Sequence, residues 1–123
     1  MANKAENQVV TPQKEVATFD DFAKLDLRVG TIVSAEKMPK ANKLLVLKVD
    51  TGLDVRTIVS GIAEHFTPEA IIGKRVTVLA NLAPRALRGV ESEGMILMTE
   101  NAEGKLVFVN PDADGVKNGA TIN

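Results

Sequence analysis

LRVGTIVSAEKMPKANKLLVLKVDTGLDVRTIVS, residues 27–60, contains three short apolar segments separated by two turns. The first segment, Leu27–Lys37, alternates apolar and polar side chains, which is typical of a half-buried β-strand. The second, Lys43–Val49, is apolar on both faces except for its lysines, and the third is Val55–Ser60. Gly30 inside the first strand indicates a bulge or a sharp bend. Because the three strands lie close together in the sequence, we predict an antiparallel meander.

A short helix and further strands follow the meander. The segment 61–73, GIAEHFTPEAIIG, contains the helix-start sequence Thr-Pro-Glu and ends in glycine, which leaves room for one or two helical turns. Lys74–Asn81 is predicted as a fourth strand, Gly94–Thr99 as a fifth, and Lys105–Asn110 as a sixth that begins a C-terminal β extension. Three strands, a helix and two strands is the element order of the OB-fold, a five-stranded Greek-key barrel that commonly binds oligonucleotides. The sequence therefore predicts an all-β OB-fold, although a different small barrel fits the same strand spacing.

The chain also extends beyond the N-terminal end of this barrel. Residues 1–18 are polar and lack periodicity, so we predict a disordered tail or linker there and a folded domain at 19–123. Phe19–Leu25 predicts a short helix capped by Thr18 or Asp20, with its large apolar side chains facing the core.

Composition argues against several kinds of site. The chain has no cysteine and one histidine, His65, so disulfides, thiolate metal sites and a zinc site are not expected. We expect no cofactor and no catalytic centre, because there is no Ser-His-Asp order and no phosphate-binding glycine loop before a helix. No apolar run approaches the roughly 20 residues of a membrane span. A reducing cytoplasm is the expected compartment for a chain without cysteine.

One stretch has the composition of a phosphate-binding loop. ANLAPRALRGVESEGMILM, residues 80–98, leaves the fourth strand, passes through a proline-broken loop with Arg85 and Arg88, and returns into an apolar run. A loop rich in arginine, serine, asparagine and glycine between two strands suits a phosphate-bearing ligand. The net charge of −1 weighs mildly against a nucleic-acid binder, so such binding would require segregation of charge on the surface.

With these segments in place, the sequence resembles a known family. It is similar to the tRNA-binding OB-domain family found at the C-terminus of many bacterial methionyl-tRNA synthetases, whose fold is shared by free-standing tRNA-binding proteins and a secretion-related chaperone. The resemblance covers nearly everything after Thr18. It is carried by FDDFAKLDLRVGTI (19–32), KANKLLVLKVDTG (40–52), RTIVSGIAEHFTPEAIIGK (56–74), NLAPRALRGVESEGMIL (81–97) and VNPDADGVKNGATI (109–122).

The resemblance implies a function that composition does not show. It implies a domain that grips the outer corner of the tRNA by shape, without reading an anticodon, and that has no catalytic centre of its own. It further implies a homodimer built on the C-terminal extension and the barrel flank. The parent protein would be a methionine–tRNA ligase, whose catalytic part would lie in the same chain.

The positions that match the family include several basic side chains. In an OB-fold the second and third strands form much of the ligand face, and the connection between the fourth and fifth strands borders that face. Lysines of the second strand and its preceding loop can therefore converge with Arg85 and Arg88. Ser60 and two other polar residues add neutral hydrogen bonds. The candidate tRNA-binding residues are Lys37, Lys40, Lys43, Lys48, Ser60, Asn81, Arg85, Arg88, Ser92 and Met95.

Most of these residues also have a structural interpretation. Lys37 and Lys40 are equally consistent with solvated loop charges. Asn81 and Ser92 can close turns through hydrogen bonds to nearby backbone. Met95 begins a strand and can pack in the core, although the family's Ser-x-Gly-Met motif borders the tRNA site.

The sequence departs from the family pattern at two positions. Ala86 follows the proline-arginine pair where many relatives have a second basic residue, and Glu93 stands where glutamine is common. Glu93 and the nearby Glu91 repel phosphate, so we expect a weaker affinity than in the free-standing relatives.

Two other functions stay open at this point. A dimeric, chaperone-like module of the same fold would bind extended peptides in an exposed apolar groove. The run Met95–Met98 could line such a groove, although a buried strand explains it more simply. The third possibility is a dimerisation domain with little RNA contact. The sequence leaves open whether the chain is free-standing, but its polar N-terminal stretch favours a piece of a longer synthetase.

Overall fold

The computed structural model describes residues 10–123, which form a small β-barrel with two short helices. Residues 1–9, half of the predicted tail, lie outside the described residues; residues 10–17 are exposed and have no regular secondary structure. The elements are α1 (Phe19–Ala23), β1 (Leu27–Lys37), β2 (Leu45–Asp50), β3 (Val55–Ser60), α2 (Pro68–Ile71), β4 (Arg75–Leu79), β5 (Arg85–Leu87), β6 (Val90–Ser92), β7 (Met95–Ile96), β8 (Met98–Glu100), β9 (Leu106–Phe108) and β10 (Thr121–Ile122).

The predicted three-stranded meander is confirmed. β1 pairs with β2, and β2 pairs with β3, both antiparallel. β1 is 11 residues long and pairs with different strands along its length. Its first half, from Leu27 to Thr31, pairs with β4, and its second half, from Thr31 to Lys37, pairs with β2. A strand shared in this way bends the sheet toward closure.

The bend in β1 involves Gly30, but the predicted bulge lies elsewhere. The register of β1 against β2 shifts between Ile32 and Ser34, so the bulge falls beyond Gly30. Gly30 is instead a point of close approach, because a Cβ atom there would lie 2.9 Å from the carbonyl oxygen of Asp50. The glycine lets neighbouring backbone pass at a distance that a side chain would block.

The main sheet has the strand order β3-β2-β1-β4-β7, with β10 paired to the start of β1. Alternate side chains of these strands point inward and form one fully apolar core, as period-two alternation requires. The result is the nearly closed antiparallel barrel with a short helix that the OB-fold prediction describes. The core consists of Ile32, Leu45, Leu47, Val49, Ile58, Ile62, Ile71, Val76, Val78, Ala80 and Ile96.

The predicted fifth strand, Gly94–Thr99, is divided at Leu97. Its first part, β7, pairs with β4, and the backbone N–H of Leu97 continues this contact by donating to the carbonyl oxygen of Thr77 (3.0 Å). Its second part, β8, leaves the barrel and forms a hairpin with β9, the predicted sixth strand. Periodicity could not show this division, because both halves are apolar.

The C-terminal extension is bound to the barrel through backbone contacts. The N–H of Gly119 donates to the carbonyl oxygen of Val29 (2.8 Å), and the N–H of Val29 donates to that of Ala120 (2.9 Å). The extension also passes over Gly52, where a Cβ atom would lie 2.5 Å from the Cα of Gly119. Two glycines thus allow the extension to lie directly against the turn between β2 and β3.

The predicted N-terminal helix is present as α1, with Thr18 as its cap. The Thr18 hydroxyl accepts from the N–H of Asp21, whose carboxylate accepts from the N–H of Thr18, which completes a capping box. The prediction that its apolar side chains face the core is wrong. Phe19, Phe22 and Leu25 are 80%, 41% and 47% exposed. Their spacing placed them on one face, but no element of the described chain covers that face.

Candidate nucleic-acid interface

The connection between β4 and β7 contains a hairpin that was predicted only as a loop. β5 pairs with β6 in the register Arg85 opposite Ser92 and Leu87 opposite Val90, which leaves a two-residue turn. The two turn residues, Arg88 and the following glycine, have φ values of 52° and 84°. Positive φ at both positions is the geometry of a type I′ turn, the form that best matches strand twist.

The β5–β6 hairpin lies on the outer face of the barrel rather than in solvent. Leu87 and Val90 of the hairpin pack against a small apolar cluster in which Val59 of β3 is buried. The loop 38–44 packs on the same cluster through other apolar side chains. We call this group the outer cluster; it comprises Met38, Ala41, Leu44, Val46, Val59, Leu87 and Val90. The cluster joins the loop and the hairpin, which are far apart in sequence, into one surface.

The loop 38–44 is held by its own backbone. Three hydrogen bonds close it: the N–H of Met38 to the carbonyl oxygen of Leu44, that of Ala41 to Met38, and that of Leu44 to Ala41. A fourth bond, from the N–H of Ala63 to the carbonyl oxygen of Lys43 (3.1 Å), ties the loop to the segment after β3. A loop whose backbone groups are paired in this way has a defined backbone conformation.

A depression of about 490 Å³ lies between this loop and the tip of the hairpin. Its lining includes three basic side chains, Lys40 and Lys43 from the loop and Arg88 from the hairpin turn. No acidic residue belongs to the lining; the other members are Ala41, Asn42 and Leu44. Three of the predicted cations therefore meet at one place, although the chain as a whole carries a net charge of −1.

Lys48 extends the same surface along β2. It stands two residues beyond Val46 of the outer cluster and shares that outward face. Its ammonium group donates to the hydroxyl of Thr57 on β3 (2.5 Å). Successive residues on one face of a strand lie about 7 Å apart, so Lys48 lies on the outward face next to the outer cluster. We call Lys40, Lys43, Lys48 and Arg88 the row of cations.

The edge of β3 is closed by side chains of the segment that follows the hairpin. The N–H of Val59 donates to the Ser92 hydroxyl (2.9 Å), which donates to the carbonyl oxygen of Gly94 (3.1 Å). Glu93 exchanges two bonds with Thr57: its N–H donates to the Thr57 carbonyl oxygen (2.8 Å), and its carboxylate accepts from the Thr57 N–H (3.0 Å). Ser92 is only 5% exposed. Its hydroxyl is therefore used within the protein, as the structural interpretation of this residue expected.

The side chain of Asn81 also forms hydrogen bonds within the protein. Its side-chain oxygen accepts from the N–H of Asp26 (2.9 Å), and its amide nitrogen donates to the carbonyl oxygen of Lys24 (2.6 Å). Both ends of the side chain thus hold the link between α1 and β1 against the end of β4. This arrangement separates Asn81 from the depression.

Two further predicted residues do not face the row of cations. Lys37 and Ser60 are each paired with Leu45 of β2, on its two sides, and Leu45 points into the core. Paired residues share a face, so both side chains leave the sheet on the side opposite to that of Lys48. Lys37 is exposed at the end of β1, and Ser60 is half-buried.

Arg85 and Met95 are both exposed. Arg85 begins the hairpin, and Ala86 and Glu91 pair with each other on the opposite face of the hairpin from Leu87. Glu91, which we expected to repel phosphate, therefore lies on the face of the hairpin that points away from the barrel. Met95, with 42% of its surface exposed, faces outward on β7, whereas the next residue, Ile96, lies in the core.

Arg56 was not among the predicted residues, although it supports this region. Its guanidinium forms a salt bridge with Asp54 (2.8 Å) and donates to the carbonyl oxygen of Ala80, where the β4–β7 connection begins. The hydrogen bond from Arg56, helped by the Thr51 hydroxyl and opposed by desolvation, lowers the pKa of Asp54 below its ordinary value of 3.8. The signal in the sequence, Asp-x-Arg at the start of a strand, is too common to point to this role.

Within residues 10–123, no group of three or more histidine, aspartate or glutamate side chains is arranged to hold a metal ion. In the same part of the chain, neither helix has the length and apolarity to cross a membrane. His65 is exposed, and its Nδ1 accepts from the N–H of Leu106 (3.4 Å), so it packs beside β9.

A nearly closed antiparallel barrel that carries a row of basic side chains on its outer face belongs to the class of OB-type nucleic-acid-binding domains. Comparison with known families gives the finer assignment: the family described as "Putative tRNA binding domain" matches residues 27–121. The chain belongs to this family and is a tRNA-binding domain.

Curated relatives agree with this assignment. Over 99% of its length, the chain is 80% identical to a methionine–tRNA ligase of Flavobacterium johnsoniae and 77% identical to one of Christiangramia forsetii. It spans only 17% and 18% of those two proteins and corresponds to their C-terminal region.

Solved structures share the fold. A MetRS-related protein of Pyrococcus horikoshii is 38% identical, with a TM-score of 0.80, and the match covers 89% of this chain and 99% of that protein. The chaperone CsaA of Bacillus anthracis is 31% identical, with a TM-score of 0.77, and the match covers 89% and 100%.

Proposed function

We propose that this domain binds tRNA by its shape and phosphate backbone, without reading base sequence. The proposed contact surface, which we call the cationic surface, consists of Lys40, Lys43, Lys48, Arg85 and Arg88. Arginine and lysine contacts to phosphate supply affinity and position a protein on nucleic acid, but they carry no sequence information. The described residues offer the ligand no aromatic platform on this surface, because the outer cluster beneath it is aliphatic.

One observation carries the proposal. The β5–β6 hairpin folds onto the outer face of β3 and meets the loop 38–44 across the outer cluster. Cations from three separate segments thereby come onto one surface of a protein whose net charge is −1. Local segregation of charge, rather than an excess of it, attracts a polyanion to one face.

We further propose that the domain is the appended C-terminal part of a methionine–tRNA ligase in the cytoplasm. The support is the identity of 75% or more over 122 residues with three such ligases. In this role the catalytic part of the same chain aminoacylates the tRNA, and the domain described here adds affinity without a catalytic site. Residues 19–123 would form the tRNA-binding unit, and the residues before them would act as a linker.

A titration tests the binding proposal. Several unrelated tRNAs and a DNA duplex are titrated against the chain at 0.1 M and 0.3 M salt. We expect similar affinities for all the tRNAs, weaker binding of the duplex, and a steep loss of affinity with salt because phosphate contacts release counterions. Lys43→Ala should weaken binding of every tRNA alike, whereas Lys105→Ala, a control on the β8–β9 hairpin, should not. A Lys43→Ala effect confined to one tRNA would contradict recognition by shape.

We also propose that the domain forms a homodimer. The exposed side chains of Phe19, Phe22 and Leu25 line a groove of about 720 Å³ together with Ile122 of the edge strand β10. An apolar patch of this kind on a small domain marks an interface. A second copy fits it, because an antiparallel pairing of two β10 edges would place the same apolar side chains on both partners of a two-fold axis.

Light scattering tests the dimer. The chain should have twice the monomer mass at micromolar concentration, and Phe22→Ser should give a folded monomer because it removes apolar area from the interface without opening the core. Leu53→Ser, at an exposed leucine away from the groove, serves as the control. A wild-type chain that remains monomeric would contradict the proposal.

The peptide-binding alternative is favoured by one observation, the shared fold with CsaA chaperones. Its prediction differs in salt dependence: apolar peptide binding in the groove of α1 would persist at high salt, whereas tRNA binding would not. A domain that only dimerises would bind neither ligand. The titration above, repeated with an extended apolar peptide, distinguishes the three functions.

A further inference from the structure

Two basic residues of the cationic surface have a left-handed backbone conformation that residues other than glycine rarely adopt. Among the described residues, Lys40 (φ 62°) and Arg88 (φ 52°) are the two non-glycine positions with positive φ. Both are basic, both stand in turns, and both line the same depression although 48 positions of sequence separate them. Residues with a Cβ atom are uncommon in this region, and asparagine and glycine are the types that tolerate it best.

The strain is most evident at Arg88. It occupies the first position of a two-residue type I′ turn, and glycine follows it. Asn-Gly is the preferred sequence for this turn, so Arg-Gly is a poor choice for folding. Strained residues of this kind gather at binding sites, where the surrounding structure enforces them. The outer cluster supplies that enforcement here, since it fixes the hairpin and the loop against each other.

We propose that Lys40 and Arg88 form a phosphate clamp, in which two strained turns hold opposing cations at the rim of the depression. The proposal rests on the proposed tRNA-binding function and names the residues that grip one phosphodiester group of the backbone. Lys43 lines the same depression as a third cation. Asparagine or glycine would make both turns more stable, but neither residue carries the charge that binds phosphate.

The chemistry of the lining agrees with a phosphate ligand. Arginine presents a planar fork of donors that matches two phosphate oxygens, and lysine adds a compact charge. Asn42 contributes an amide donor, and no carboxylate of the described chain enters the lining. Because Ala41 and Leu44 are its apolar members, the depression offers no aromatic ring on which a base could stack.

The clamp predicts that binding and stability change in opposite directions. Arg88→Asn replaces the strained residue by the one the turn prefers, so we expect the melting temperature to rise by about 2–4 °C. The same change should weaken tRNA binding about five- to eightfold at 0.1 M salt and reduce the salt slope by about 0.7–0.9, the effect of one lost phosphate contact. Lys40→Asn should behave in the same way.

Two control variants separate charge from backbone. Arg88→Lys keeps the charge and the strain but replaces the planar fork by a compact charge, so the salt slope should not change and the loss of affinity should be smaller than that of Arg88→Asn. Lys105→Asn removes a cation of similar exposure beside the turn of the other hairpin, and should leave tRNA binding unaltered.

The outcomes distinguish the clamp from the function on which it rests. If wild type binds tRNA but the two asparagine variants keep its affinity and salt slope, the clamp is wrong and tRNA binding stands. If the asparagine variants bind less but melt at a lower temperature, strain at the turns is wrong. If wild type does not bind tRNA at either salt concentration, the proposed function itself fails.

Discussion

Replacing Ser92 by alanine should open the barrel where β3 meets the hairpin. The Ser92 hydroxyl accepts from the N–H of Val59 at 2.9 Å and donates to the carbonyl oxygen of Gly94 at 3.1 Å, and all three residues are buried. Alanine leaves both backbone groups without a partner, and a buried polar group left in this way costs about 1–3 kcal/mol. The carbonyl oxygen is the less demanding of the two, so we expect a total loss of about 2–3 kcal/mol.

Chemical and thermal unfolding measure this loss. For a domain of this size each kcal/mol lowers the melting temperature by about 4 °C, so Ser92→Ala should melt about 10 °C below wild type. Ser34→Ala is the matched control, because Ser34 is exposed on the outer edge of the register shift in β1 and should change stability by less than about 0.5 kcal/mol. Equal melting temperatures for Ser92→Ala and wild type would refute the view that this hydroxyl closes the barrel.

Three other changes test separate parts of the structure. Glu93→Gln keeps an oxygen to accept the backbone hydrogen bond but removes a charge near the cationic surface, so tRNA titration should show about twofold tighter binding at low salt and no difference at 0.5 M salt. Asp54 has a pKa lowered by its bond to Arg56, so the pair stabilises the fold above about pH 4 and loses this effect as the pH falls through the lowered pKa. Since Asp54 is half-exposed, Asp54→Asn should cost less than about 1 kcal/mol at pH 7, and the urea midpoints of variant and wild type should converge as the pH falls through the lowered pKa. Gly52→Ala combines positive φ with a clash against the C-terminal extension, so it should lower the free energy of unfolding, measured with urea, by about 2–4 kcal/mol. Gly104→Ala has positive φ but free space around it and should lower the free energy of unfolding by about 1 kcal/mol.

The barrel strands were predictable because their signals are local. Alternation along β1, the lysine-flanked apolar run of β2 and the turn between β2 and β3 each lie within a few residues, and each element has the predicted type. The order of these elements was then enough for the OB-fold. The ends of β1 and β3 are as predicted, and those of β2, β4 and β9 differ by one or two residues from the structure, since fraying and hydrogen-bond geometry decide them.

Burial was less predictable than secondary structure. The helix α1 begins at its capping residue as expected, yet Phe19 and Phe22 are exposed rather than buried. Helical spacing reports that two side chains share a face, but it does not report what that face meets. If the proposed dimer forms, the same spacing describes an interface with a second copy, which a single sequence cannot distinguish from a core.

The proposed ligand surface was the hardest part to predict, because it depends on the packing of the β5–β6 hairpin against the outer face of β3. The β5–β6 hairpin has strands of three residues and the unfavourable turn sequence Arg-Gly, so no hairpin rule marks it. The available signal is the pair Leu87 and Val90, one on each side of that turn. Apolar side chains in this position need a surface against which to be buried, and the outer face of β3 provides it. Once the hairpin lies there, Arg88 must meet Lys40 and Lys43. Net charge could not reveal this meeting, since it sums over the molecule, whereas a polyanion responds to the potential of one face. Under the clamp proposal, the positive φ angles of Lys40 and Arg88 mark two positions at which the chain gives up turn stability for a cation in the depression.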